Sequence, residues 1–94
     1  LHLFGSPELG EKLLDPLLMH PTISIFVSQA AASHGGHIGD LDQGEQVLGR
    51  GDAVLIQALL SDEDAESLLA ELRVMFANSG VLFWMTHVMS RGAL

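Results

Sequence analysis

The chain has 94 residues, with 12 Asp and Glu against 4 Lys and Arg, for a formal net charge of −8. That balance repels phosphate backbones and anionic membrane surfaces, which excludes sequence-independent nucleic-acid binding, and it attracts a cation or a basic patch on a partner. The absence of cysteine removes disulfides, thiolate metal sites and cysteine nucleophiles, and it fits a reducing, cytoplasmic setting.

Apolar residues make up 48% of the chain, and mean hydropathy is +0.34. This is rich for one small domain with much surface to cover, and it predicts apolar surface buried between subunits. No apolar run reaches membrane-spanning length, and no secretory signal is visible. The chain opens at Leu1, without Met, directly in an apolar-periodic segment. The expectation is that a few natural residues precede it.

Leu1 to Phe4 has the look of a short strand. Ser6-Pro7-Glu8 follows as a helix start, with Ser6 as N-cap, Pro7 at the first helical position and Glu8 well placed on the dipole. Leu9, Leu13, Leu14, Leu17 and Leu18 continue at helical spacing. Pro16 should kink this helix or restart it with Asp15 as cap. Thr22 to Gln29 reads as a strand, with Ile23, Ile25 and Val27 on one face and Ser24, Phe26 and Ser28 on the other.

Residues 30 to about 52 read as one long flexible loop within a single domain of residues 1–94. A glycine- and histidine-rich run, Ser33 to Glu45, lies inside it, and loops of this length are usually functional or disordered. Ala53 to Leu59 is the next strand. Ser61-Asp62-Glu63-Asp64 starts a helix in capping-box style, with the stripe Ala65, Leu68, Leu69, Leu72, Met75 and Phe76. Asn78-Ser79-Gly80 ends it, with Gly80 as the left-handed cap. Val81 to Met89 is the last strand, apolar on both faces. The order β-α-β-loop-β-α-β predicts an α+β fold, a ferredoxin-like open-faced sandwich whose two helices cover one side of a four-stranded sheet. The uncovered side then calls for self-association.

His34-Gly35-Gly36-His37 is the sharpest chemical feature. Two imidazoles across two glycines can close on one cation. Asp40, Asp42 and Glu45 stand close enough in sequence to complete a nitrogen/oxygen shell. Such a set suits zinc, nickel or Cu(II). The competing reading is a polar loop with solvated histidines. Asp40 to Glu45 also resembles the start of a calcium loop, but the glycine comes one position early and the bidentate Glu is missing. Gly49-Arg50-Gly51 offers a cation between glycines, suited to a phosphate or carboxylate or to a structural pair with Glu45. His87 reads as a sheet or interface histidine, and Met85 and Met89 read as packing residues rather than thioether ligands. His20 is a surface residue at a helix end, and His2 carries no pattern. No Walker motif, dinucleotide fingerprint or nucleophile-base constellation is present, so the expectation is a protein that is not an enzyme.

The element order, the segment Glu45 to Arg50, the pair Phe83-Trp84 and the terminal Val88 to Gly92 together resemble the P-II signal-transduction superfamily. They are similar in particular to a branch of small bacterial proteins encoded beside heavy-metal efflux pumps of the resistance-nodulation-division type. The resemblance implies a homotrimer whose helix-free sheet faces pack around an axis, with the insertion between strands two and three in the place of the T-loop. It further implies a small effector bound near the loop base; a competing reading has the subunit cleft bind a nucleotide or other anion, with Gly49, Arg50 and Arg91 as the effector-binding candidates. A membrane transporter or its regulator is the implied partner, touched through the loop. Nucleotide-binding relatives hold phosphates in a glycine- and lysine-containing loop before the last strand. Here that connection is Ala77-Asn78-Ser79-Gly80, which argues against a nucleotide.

Overall fold

A computed structural model of the chain describes residues 1–35 and 51–94. Within them the order is β1 (His2–Gly5), α1 (Pro7–Leu18), β2 (Phe26–Ser33), β3 (Gly51–Ala58), α2 (Asp62–Met75) and β4 (Leu82–Trp84). The strands form one antiparallel sheet in the order β2-β3-β1-β4. The architecture is α+β.

Both helix starts follow from local chemistry. Ser6 is extended, and its Oγ accepts from the Leu9 amide at 3.3 Å, with Pro7 opening α1. Ser61 does the same for α2, accepting from the Asp64 amide at 3.2 Å. Each bond satisfies one of the amides that a helix start leaves without a partner. The expected break at Pro16 does not occur, because α1 runs through it to Leu18. Pro16 lies in the last turn, so one lost amide donor affects a single carbonyl, that of Lys12, on an exposed part of the helix. The Met19 amide still closes on the Asp15 carbonyl at 2.9 Å.

The helices share one face of the sheet. Leu13 and Leu17 from α1 and Leu68 and Leu72 from α2 form a buried cluster with Leu3, Ile56 and Ala58. Leu13, Leu17, Ile56 and Leu68 are fully enclosed, and each contributes about 1.5–3 kcal/mol by leaving water. Met75, expected in the buried stripe of α2, is exposed at the helix end, while Phe76 packs at the core's edge. Beyond it, Asn78 at φ 58° and Gly80 at φ 89° turn the chain toward β4.

Strand limits differ from the sequence expectation, and the register explains why. Phe26 pairs with Ala58, so Ile25 and earlier residues would need partners beyond Ala58, where the chain turns toward Ser61. β2 therefore starts at Phe26, not Thr22, and Ile25 is exposed. At the other end pairing continues from Ala30↔Val54 to Ser33↔Gly51, inside the stretch expected to be loop. The last strand shortens from Val81–Met89 to Leu82–Trp84, because its pairs on β1 are Phe4, Leu3 and His2 and the ladder ends there.

Candidate functional site

The register also decides what the helix-free face carries. Leu3 and Ile56 point to the helices, so their neighbours His2, Phe4, Leu55 and Gln57 point away. Val27 lies opposite Gln57, and Leu82 and Trp84 lie opposite Phe4 and His2. The resulting face is aromatic and apolar along β1 and β4 and mixed along β2. Val27 is 53% exposed, Leu82 59% and Trp84 42%. His2 stacks on Trp84 with centroids 5.3 Å apart and planes 9° from parallel, and Phe4 meets the same indole at 6.4 Å and 44°. The His2 Nε2 and Thr86 Oγ1 share a hydrogen bond at 3.0 Å. Stacked pairs of this kind add about 0.5–1.5 kcal/mol beyond area, so this cluster holds β4 against β1. His2 has no signal in the sequence, because only the β1–β4 pairing, 82 positions apart, brings it to Trp84. On the opposite face the Arg73 guanidinium lies 5.4 Å over the Phe83 ring.

His34, the first of the expected cation ligands, is exposed just beyond the last rung of the β2–β3 ladder, where the Ser33 hydroxyl donates to the Gly51 carbonyl at 3.1 Å. The hairpin thus brings residues 34 and 51 to one end of the sheet. His37, Asp40, Asp42, Glu45, Gly49 and Arg50 lie outside the described residues, and so does the calcium-loop-like segment Asp40 to Glu45. Among the described residues, no group of three His, Cys, Asp or Glu side chains is placed to hold a metal ion.

Arg91 sits at the other end of the sheet. It lines a pocket of about 470 Å³ with Leu1, Ala58, Ser61, Asp62 and His87. The Leu1 backbone nitrogen donates to the Ala58 carbonyl at 3.0 Å. The first turn of α2 would favour an anion by its dipole, but Asp62, Glu63 and Asp64 occupy it and oppose one. β3 spans about 23 Å between the Gly51 end and the Ala58 end. The Arg91 pocket and the hairpin end that carries His34 are therefore separate within one chain.

His20 is a helix-end residue as expected, with its Nδ1 bonded to the Thr22 hydroxyl at 3.0 Å. His87, Met85 and Met89 are exposed and lie past the end of β4. The strand and packing roles expected for them are not seen in the isolated chain. No helix among the described residues is long and apolar enough to cross a membrane.

A family model described as "Protein of unknown function (DUF3240)" matches residues 1–94. The crystal structure of a DUF3240 family protein from Shewanella baltica OS155 at 2.40 Å resolution is similar, with a TM-score of 0.79 and 13% identity. The match covers 99% of this chain and 91% of that one. At that identity the likeness concerns the fold. No curated protein matches the sequence.

Proposed function

The chain belongs to the DUF3240 family, and we propose that it acts as a P-II-like regulatory protein, a cytoplasmic homotrimer linked to metal-cation homeostasis or transport, with no catalytic step. The observation that carries this reading is the helix-free face. Val27, Leu82, Trp84 and Phe4 form an apolar and aromatic surface on one side of a sheet whose described helices, α1 and α2, lie on the other. A chain that is 48% apolar, and whose described residues leave such a face open, is most simply completed by copies of itself. The strand order β2-β3-β1-β4 with both helices on one side supports the ferredoxin-like reading, and the Ser33–Gly51 rung supports a T-loop-like insertion at one end of that sheet.

In this reading the segment between Ser33 and Gly51 is the sensor or the contact to a transporter or its regulator. His34, His37, Asp40 and Asp42 supply the ligands for zinc, copper or nickel. The net charge of −8 favours cation capture. Two measurements test the reading. Val27→Glu with Leu82→Glu, both at exposed positions, should convert a trimer to monomers in sedimentation equilibrium. An unchanged mass would remove the face from the interface. Zinc titration calorimetry should give about one ion per chain, and His34→Ala with His37→Ala should abolish most of the heat. Equal heats from parent and double variant would rule out the loop site.

A second reading takes the Arg91 pocket as one side of a subunit cleft that binds a small anion or nucleotide, with Gly49 and Arg50 supplied by a neighbouring copy, since within one chain they adjoin Gly51 at the far end of β3. Its volume of about 470 Å³ supports it, and the carboxylates of the α2 first turn weigh against it. A thermal-shift panel of adenine nucleotides with and without Mg²⁺ separates it from the first. A nucleotide-dependent rise in melting temperature with no zinc response would reverse the preference.

A further inference from the structure

The open face of the sheet is also distinguished by its charge. Among the described strands there is no Lys, Arg or Glu, and the one acid, Asp52, pairs with Ala32 and shares the helix side with Val54 and Ile56. The strand positions on the open face therefore carry no fixed charge, in a chain of net charge −8. Copies of so acidic a chain repel one another where their carboxylates meet, and this face is where they can approach without that cost. Its one titratable side chain among the described strands is His2. The ring is half-buried, stacked on Trp84 and bonded to Thr86. It also lines a groove of about 390 Å³ at the Ala58 end of the face, where Gln57 and Thr86 are polar neighbours and Ile25, Val27 and Val88 are exposed apolar ones.

We propose that assembly of copies through this face is controlled by the charge on His2: copies join while the ring is neutral and separate when it takes up a proton. The inference rests on the face being the subunit interface. Histidine is the side chain whose charge ordinarily changes between about pH 5 and 8. Covering the face with a second copy removes water from the ring, and among the described residues no carboxylate lines its groove to replace that water. Burial then disfavours the charged form. Symmetry repeats the cost in every copy and brings like charges onto one interface. The Leu1 backbone nitrogen, also on the groove, is held by the Ala58 carbonyl. Asp62, Glu66, His87 and Arg91 line the adjoining pockets, which share Leu1 and Thr86 with the groove, and none of the four lines the groove itself. The Trp84 stack and the Thr86 bond lie within one chain, so they are present before and after assembly and do not bias it. The sign follows: assembly is at full strength while His2 is neutral and weakens as pH falls. Linkage limits the loss to about tenfold per chain for each pH unit, with about one proton released per chain on assembly.

The test is sedimentation equilibrium at one protein concentration, at about pH 8 and about pH 5.5, on the parent chain and on His2→Phe. The variant keeps a ring against Trp84 but cannot take up a proton, and His2→Gln, neutral and able to bond Thr86, repeats the comparison on a second background. Circular dichroism at both pH values confirms that each chain is folded. The parent should be a trimer at the higher pH and monomeric at the lower, while both variants stay trimeric throughout. A parent that remains trimeric at the lower pH would overturn the role of His2 and leave the interface standing. Variants that dissociate together with the parent would likewise overturn it, assigning the pH response to other groups. A parent that is monomeric at the higher pH would remove the interface itself, and the control by His2 with it.

Discussion

Gly10→Ala sets two opposing effects against each other. Gly10 is the fourth residue of α1, and it is buried against β3. A Cβ placed there would lie 2.9 Å from the Cβ of Val54 and 3.1 Å from each of its methyl carbons. Alanine improves helix propensity by about 1 kcal/mol over glycine. Carbon atoms prefer separations of about 3.5–4.0 Å, so α1 must retreat by about 0.5–1 Å, a gap that forfeits a quarter to a half of each contact along the seam. The Val54 Cβ is fixed to the β3 backbone and cannot swing aside. Overpacking of this kind costs about 1–3 kcal/mol, so the net change is a destabilisation of about 0–2 kcal/mol. For a chain of this size that lowers the melting temperature by up to about 15 °C. The assay is urea unfolding followed by Trp84 fluorescence and circular dichroism at fixed protein concentration, reading the midpoint at unchanged slope. Val54→Ala removes two of the three close contacts, so the double variant should recover about 1 kcal/mol relative to additivity. A gain of about 1 kcal/mol from Gly10→Ala alone, the bare propensity value, would refute the close approach of α1 to β3.

Other perturbations have simpler expectations. Leu68→Ala opens a cavity in the enclosed core and should cost about 2–5 kcal/mol in the same urea assay. Ser61→Ala removes the acceptor for the Asp64 amide and should cost about 0.5–2 kcal/mol, with Ser61→Asp restoring most of it. Gly80→Ala forces a Cβ onto a residue at φ 89°, and the left-handed backbone should cost about 1–2 kcal/mol although nothing crowds the position. Trp84→Leu should loosen β4, seen as faster amide exchange across Leu82–Trp84, because it removes the stacking of His2 and Phe4. Unchanged exchange there would show that backbone pairing alone holds the edge strand.

Local chemistry is legible in the sequence. Ser6 with Pro7, and Ser61 with its acidic turn, announce both helix starts, and the Leu spacing identifies the buried stripes. Each of those signals acts within one or two helical turns, so neighbouring residues suffice to determine it. Strand limits are less legible, because a strand extends only as far as its partner does. Phe26 begins β2 because Ala58 ends β3, and β4 stops at Trp84 because its pairing with β1 stops at His2. Hydrophobic alternation in Thr22–Gln29 and Val81–Met89 cannot report either limit.

The site divides along the same line. The sequence by itself determined the acidic charge, the missing thiols and the donor types of the His34–His37 run, since these are properties of composition and spacing. Tertiary structure alone decided that His2 and Phe4 join Trp84 on the uncovered face. It also decided that the Arg91 pocket and the Ser33–Gly51 rung stand at opposite ends of the sheet. The physical reason is the strand register. A shift of one residue exchanges the two faces of a strand, and that choice depends on hydrogen bonds between residues far apart in the chain.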